Sequence, residues 1–123
     1  MANKNRTKGH NYERGLVNLF KELGYEHCVT SRYGSRQHDD CGIDLINVPY
    51  NVQAKAGYAR GINYSKILRE IKEKIDINFP KDAKEHTNPT FITHKKDVGR
   101  GRTTTEFDHL VVMTVDDLLK LIR

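Results

Sequence analysis

Cysteine and long apolar runs are scarce in this 123-residue chain, and their scarcity excludes several classes of protein. The only two cysteines, Cys28 and Cys41, fit neither a disulfide framework nor the paired C-x-x-C ligands of a structural zinc site. No apolar run approaches the roughly 20 residues that cross a bilayer. The opening segment, MANKNRTKGH, lacks the hydrophobic stretch of a secretory signal. We therefore expect one cytoplasmic domain over residues 1–123, with reduced thiols.

Positive charge is in excess. Lysine and arginine number 21 against 16 acidic residues, which gives a formal net charge of +5 and a pI near 9.2. A basic domain suits a polyanionic partner such as nucleic acid, although net charge also serves solubility alone. The basic residues bunch in an N-terminal arm over residues 1–9, expected to be flexible, and again around residues 95–102. The bunched residues are Lys4, Arg6, Lys8, Lys95, Lys96, Arg100 and Arg102.

Apolar periodicity and turn residues predict a mixed α/β domain whose helices cover a central sheet. Internal repeats and low-complexity linkers are absent from the sequence. The predicted order is αβββαββα. Its elements are a helix over 11–23, strands over 27–33, 43–48 and 51–56, a helix over 64–77, strands over 90–94 and 109–113, and a last helix capped by Thr114 and Asp117.

Glu13 continues the apolar stripe of the first predicted helix. It precedes Leu16 by three residues and Val17 by four, and such spacing places side chains on one face. This spacing predicts a carboxylate that faces the interior. The alternative is an acid in the first helical turn, where the helix dipole favours it and water still reaches it.

Gln53 and Lys55 alternate with small apolar residues, so they share one face of the third predicted strand. If a tight turn pairs Val48 with Asn51, the ladder brings Asp44 opposite Lys55. A loop of odd length would send Asp44 to the other face. An edge hairpin with a solvated polar face and an Asp–Lys cross-strand pair is the other interpretation.

These residues suit phosphodiester hydrolysis, which needs an activated water and a partner for the developing negative charge. A hard cation, Mg²⁺ or Mn²⁺ in its place, takes carboxylate and carbonyl oxygens as ligands. Asp44 would be the principal ligand, with the Gln53 side-chain oxygen, the Ala54 main-chain carbonyl and Glu13 as the others. Lys55 would orient the water or stabilise charge on the phosphate.

The segments G-I-D-L-I and V-Q-A-K, which follow a helix containing Y-E-R-G-L-V, resemble the signature of the PD-(D/E)xK nucleases. The ending T-F-I-T-H-K-K…L-V-V-M-T-V-D-D-L-L is similar to that of archaeal and phage-type Holliday junction resolvases, and the likeness covers most of the chain. It implies a restriction-endonuclease-like αβββαβ core with a mixed central sheet. Glu13, Asp44 and Lys55 match the catalytic positions of the family. Gln53 stands in place of its second acid, as in the Q-x-K variant of methyl-directed restriction endonucleases.

The resemblance implies a magnesium-dependent endonuclease from a bacterium, an archaeon or a phage that cleaves four-way DNA junctions as a homodimer. The second predicted helix and the C-terminal segment are the candidate dimer interfaces. The polar segment over 33–40 borders the active site in such folds, and a solvated loop is the alternative interpretation of its residues. The residues expected to contact DNA are Lys8, Arg32, Arg36, Arg60, Lys95, Lys96, Arg100 and Arg102.

Two other functions stay open. The first is a restriction-like or nicking nuclease of the same fold that acts on duplex DNA. The second is a basic DNA-binding module without activity, for which Gln53 is the argument because it replaces an anionic ligand with a neutral one. An inward-facing carboxylate at Glu13, kept together with Asp44 and Lys55, argues against the second.

Overall fold

A mixed three-stranded sheet and a two-stranded sheet, with five α-helices, make up residues 4–123, the part of the chain that this computed structural model describes. The elements are α1 (Lys4–Glu22), β1 (Val29–Thr30), α2 (Ser31–Gly34), α3 (Arg36–Asp40), β2 (Leu45–Ile46), β3 (Asn51–Gly57), α4 (Tyr64–Asn78), β4 (Thr90–Lys96), β5 (His109–Met113) and α5 (Val115–Ile122), with 3₁₀ turns at Lys84–His86 and Glu106–Asp108. The mixed α/β class predicted from the sequence is confirmed.

The central sheet has the order β3-β4-β5. β3 and β4 are parallel, from Asn51 beside Thr90 to Gly57 beside Lys96. Parallel neighbours need a crossover connection, and α4 lies in that connection. β4 and β5 are antiparallel, with Phe91 paired to Met113. β1 and β2 form the separate two-stranded sheet.

Two apolar clusters hold the helices against the strands. In the first, Leu16 and Phe20 of α1 are buried with Val52 and Phe91. In the second, α4 buries its own apolar stripe, Leu68, Ile71 and Ile75, and the last two pack with Cys41, Ile43 and Phe79. Cys28 and Cys41 are free and buried, one in each cluster. None of the helices within residues 4–123 has both the length and the apolar character needed to span a membrane.

Local signals in the sequence predicted the positions of the long elements. Gly24 takes the left-handed backbone (φ 108°) just after α1, as a C-terminal glycine does. The predicted helix over 64–77 is α4, and the Asn63 side chain caps it by accepting a hydrogen bond from the Lys66 N–H. The Thr114 side chain accepts a hydrogen bond of 3.1 Å from the Asp117 N–H and opens α5.

Three predictions about the N-terminal half were wrong. The expected strand over 27–33 has only two strand residues, because the chain turns at Ser31 into α2 and α3. The strand expected over 43–48 is shortened to Leu45–Ile46, since Asn47 takes a positive φ of 65° that a strand cannot continue through. Residues 4–9 belong to α1 instead of a flexible arm, and Lys8 ties that end of the helix to Asp97 at 2.5 Å. Residues 1–3 of the expected arm lie outside the described residues.

The tight hairpin expected to place Asp44 opposite Lys55 is also wrong. β2 pairs with β1, and the N–H of Asp44 donates to the carbonyl of Val52 at 2.7 Å. Asp44 therefore lies against an earlier part of β3. The physical reason is the connection over 47–50: Asn47 leaves the strand conformation, and the N–H of Asn51 donates across to the carbonyl of Pro89.

Candidate active site

Asp44 is fixed against the edge of β3 by two hydrogen bonds. Its N–H donates to the Val52 carbonyl, and its Oδ2 accepts from the N–H of Ala54, each at 2.7 Å. Burial raises the pKa of Asp44 from 3.8 to about 7, against the lowering effect of the Ala54 hydrogen bond. The carboxylates of Glu13 and Asp39 contribute to this rise in pKa, and the Lys55 ammonium opposes it. The site thus gathers negative charge around a partly desolvated carboxylate.

Gln53 and Lys55 flank the residue that holds Asp44. Both belong to β3 and, as predicted from the alternation, share a face of that strand. The Oε1 atom of Gln53 is buried and has no hydrogen-bond partner among the described residues. A buried oxygen left without a partner costs about 1–3 kcal/mol. This oxygen is therefore poised to accept a donor or to bind a cation.

Gly42 makes the room for the Gln53 amide. It has a φ of 81°, and a Cβ added there would lie 3.1 Å from Nε2 of Gln53. Glycine adopts this left-handed backbone without strain. The chain thereby passes close to the Gln53 amide two residues before it reaches Asp44.

Glu13 enters the site from α1, and its side chain is only 15% exposed. The carboxylate faces the interior, as the stripe predicted. Its Oε2 accepts from Nη2 of Arg32 at 2.6 Å, and its charge contributes to the raised pKa of Asp44. Glu13, Asp44 and Lys55 are thus close enough to interact electrostatically, although Asp44 and Lys55 are not cross-strand partners.

The oxygen-rich residues of this site fit a hard cation. Among residues 4–123, no group of three or more His, Cys, Asp or Glu side chains is arranged to hold a metal. The predicted ligand set has only two such side chains, Glu13 and Asp44, and adds the amide oxygen of Gln53 and the carbonyl of Ala54. The partnerless Gln53 oxygen and the desolvated Asp44 carboxylate both gain from a cation. The Ala54 carbonyl points to the same edge of β3 as the N–H that binds Asp44.

The residues expected to contact DNA lie in several places. Arg32 is at the site, paired with Glu13. Lys8 and Lys95 line a groove of about 890 Å³ between α1 and the β4–β5 hairpin. Arg36 is exposed and 3.9 Å from Asp40 within α3. The others are Arg60, exposed before α4, Lys96 at the end of β4, and Arg100 and Arg102, exposed in the β4–β5 connection.

The strand predicted over 90–94 leaves Lys95 and Lys96 in the loop that follows it, and this was wrong. β4 continues to Lys96, since Lys95 pairs with His109 and Lys96 with Gly57. Only Arg100 and Arg102 lie in the connection itself. The basic cluster is therefore partly on the sheet and partly on the loop.

Two residues near the site were not singled out from the sequence, His10 and Arg14, which line a cleft with Arg32. Asp39, whose charge raises the pKa of Asp44, lies in the segment 33–40 that was expected to border the site. The spacing of His10 and Arg14, four residues apart next to Glu13, was a signal for a shared helix face. The distance of Asp39 from Asp44 is set by α3, which the sequence did not predict.

Comparison with known proteins finds no relative: no family model, no curated protein and no solved structure matches the chain. The activity is therefore inferred from the arrangement of Glu13, Asp44, Gln53 and Lys55, together with the basic residues around them.

Proposed function

We propose that this chain is a metal-dependent endonuclease that hydrolyses phosphodiester bonds of DNA. The observation that carries the proposal is the position of the Asp44 carboxylate. It accepts a hydrogen bond from the N–H of Ala54, the residue between Gln53 and Lys55, and burial together with the nearby charge of Glu13 raises its pKa. The order of α1, β1, β2, β3, α4 and β4, with the short helices α2 and α3 inserted between β1 and β2 and with β3 and β4 parallel, supports a restriction-endonuclease-like core. That core carries its catalytic residues at these positions.

The chain's own residues have separate roles in this proposal. Asp44, the Gln53 oxygen and the Ala54 carbonyl would hold Mg²⁺ or Mn²⁺, with Glu13 as a further ligand. When bound, the cation makes water nucleophilic at neutral pH and offsets the charge on the phosphate. Ala54 keeps the Asp44 carboxylate in one orientation through its N–H.

Lys55 supplies the positive charge for the reacting phosphate. It sits one residue beyond Ala54 on the same face as Gln53, and its charge lowers the pKa of Asp44. An ammonium in this place orients the attacking water and stabilises the oxygens of the transition state. Removal of one such group costs about 10²- to 10³-fold in rate.

Branched DNA is the substrate that we propose, with a homodimer as the active form. The net charge of +5 suits a polyanion. Resolving a junction takes a nick on each of two opposing strands, and one copy of Asp44 and Lys55 serves one strand. A two-fold dimer presents two identical sites to a substrate of matching symmetry.

Cleavage of a labelled four-way junction and of a linear duplex of the same sequence tests the proposal, with Mg²⁺, Mn²⁺ or chelator. We expect metal-dependent cleavage of the junction by the parent protein. Asp44→Ala and Lys55→Ala should abolish it while DNA binding stays within a few-fold, because both residues act on the cation and the transition state. Asp116→Ala and Lys81→Ala, at exposed positions of the same charge types, are the matched controls.

The alternatives give different results. Equal cleavage of junction and duplex would indicate a restriction-like or nicking nuclease. Binding of both DNAs without cleavage under any metal condition would indicate a basic binding module. Undiminished cleavage by Asp44→Ala and Lys55→Ala would show that the active site lies elsewhere.

A further inference from the structure

A cationic cleft of about 510 Å³ adjoins the Glu13–Arg32 ion pair. It lies between the outer face of α1 and the β1–α2 segment, and its residues are Thr7, His10, Arg14, Thr30, Arg32 and Tyr33. The N–H of Ser31, between Thr30 and Arg32, donates to the carbonyl of Asp44 at 2.8 Å. The wall of the cleft is thus joined to the main chain of Asp44, the residue that carries the proposed catalytic carboxylate.

Tyr33 is 88% exposed at the edge of this cleft. Its position is set by tight packing next to it: a Cβ on Gly34 would lie 2.6 Å from Cδ1 of Ile46 and 3.2 Å from Cγ2 of Val29. A larger residue at position 34 would require the Ile46 side chain to shift. The aromatic ring is therefore presented outward from a fixed turn beside two arginines.

A second, smaller cleft of about 280 Å³ lies on the other side of Tyr33. It shares Arg14, Thr30 and Tyr33 with the cationic cleft and adds Asn18 and the apolar side chains of Val17 and Val29. The ring thus stands between a basic wall and an apolar one. A nucleotide has the same division, with an anionic phosphate and a base that has an apolar face.

We propose that these two clefts form a subsite for an unpaired nucleotide, whose phosphate lies against Arg14, His10 and Arg32 and whose base stacks on Tyr33. In a duplex both faces of a base are covered by its neighbours, whereas an unpaired base offers a face to an aromatic side chain. This subsite rests on the proposed function, because the bound DNA strand would run from Tyr33 past Ser31 to the proposed active site at Asp44. It assigns the enzyme to branched DNA in which a nucleotide beside the cleavage site is unpaired or becomes unpaired on binding.

Fluorescence of 2-aminopurine tests the subsite without catalysis. The probes are a single-stranded DNA decamer with a central 2-aminopurine and the matching duplex, each titrated with the full chain in chelator. Stacking on Tyr33 quenches the fluorescence of the single strand. Because stacking of one base contributes about 1–3 kcal/mol, Tyr33→Ala should weaken single-strand binding roughly 5- to 150-fold and abolish the quenching.

Three variants separate stacking from general effects. Tyr33→Phe keeps the ring and should retain both affinity and quenching. Tyr58→Ala removes another exposed tyrosine, 64% exposed, and should change neither. Arg14→Gln should weaken binding and lower the salt slope by about 1, as expected when one phosphate is no longer neutralised.

The result separates this subsite from the proposed activity. Quenching that depends on Tyr33 supports the subsite even when the junction is not cleaved, in which case the endonuclease proposal alone fails. Junction cleavage with equal single-strand affinity and quenching in the parent protein and Tyr33→Ala overturns the subsite and leaves the endonuclease standing. A duplex that quenches and binds as well as the single strand would also overturn it.

Discussion

The guanidinium of Arg32 lies 2.6 Å from the carboxylate of Glu13, which also raises the pKa of Asp44. Arg32 therefore competes with a cation for the Glu13 carboxylate, which we propose as a metal ligand. Arg32→Gln should tighten Mn²⁺ binding in the absence of DNA by up to about fivefold, the range of a partly exposed ion pair. The same variant should weaken DNA binding. Calorimetric titration measures the first effect, with Arg36→Gln as the control on an exposed arginine, and weaker metal binding would contradict the prediction.

Gln53 sets the metal affinity if its partnerless oxygen is a ligand. Gln53→Glu should fold normally and bind Mg²⁺ more tightly, because an anionic ligand replaces a neutral one. Gln53→Ala should weaken metal binding and slow cleavage. A metal titration in which Gln53→Ala matches the parent protein would show that the amide is not a ligand.

The raised pKa of Asp44 predicts how stability changes with pH in chelator. The folded protein holds a proton on Asp44 up to about pH 7, whereas the unfolded chain releases it near the ordinary aspartate pKa of 3.8. Between these two pKa values the folded state binds more protons than the unfolded chain. The folded state therefore becomes less stable as the pH rises from about 4 to about 7. Asp44→Asn cannot titrate and still accepts from the Ala54 N–H.

The stability difference between Asp44→Asn and the parent protein should therefore grow in favour of the variant by on the order of 2–3 kcal/mol from pH 5 to pH 8. Urea unfolding of both proteins at the two pH values measures it, and groups common to both cancel in the comparison. Addition of Mg²⁺ at pH 8 should stabilise the parent protein only. A constant difference across this range would contradict the raised pKa.

The basic cluster of β4 and its following loop, Lys95, Lys96, Arg100 and Arg102, should bind the phosphate backbone. Changing all four residues to glutamine should weaken binding to every DNA sequence alike. The slope of log affinity against log salt should fall by about 0.9 for each phosphate that the variant no longer neutralises. The control is the same change at four exposed lysines, Lys66, Lys74, Lys81 and Lys84. Unchanged affinity and slope would make the cluster a solvated surface.

α5 is the better candidate for the dimer interface, because the apolar stripe of α4 is buried in its own core. The apolar residues of α5 stay 39–70% exposed. Light scattering should report twice the 14.2 kDa chain mass at micromolar concentration. Leu121→Glu should give monomers, whereas Ile77→Glu, at an exposed position of α4, should not.

Mixing active chains with Asp44→Ala chains gives a functional test of the same dimer. The heterodimers should nick one strand of a junction and seldom resolve it, because only one of their sites is active. A protein that is monomeric both free and on DNA would rule out junction resolution by a dimer and favour the nicking or restriction-like alternative.

The sequence by itself determined the elements whose signals are local. α1, α4 and α5 follow from apolar spacing and from capping residues such as Asn63 and Thr114. β3, β4 and β5 follow from short runs of strand-forming residues. The shared face of Gln53 and Lys55 and the inward position of Glu13 were predictable for the same reason, since each depends on the period of one element.

Only the tertiary structure decided how those elements meet. The position of Asp44 against Val52 and Ala54 depends on Asn47 leaving the strand and on the bond from Asn51 to Pro89. The pairing of Arg32 with Glu13 joins residues 19 positions apart, and Gly34 packs close to Ile46, twelve positions further along the chain. Such contacts depend on packing between distant segments, and packing overrides the local preference of a short strand.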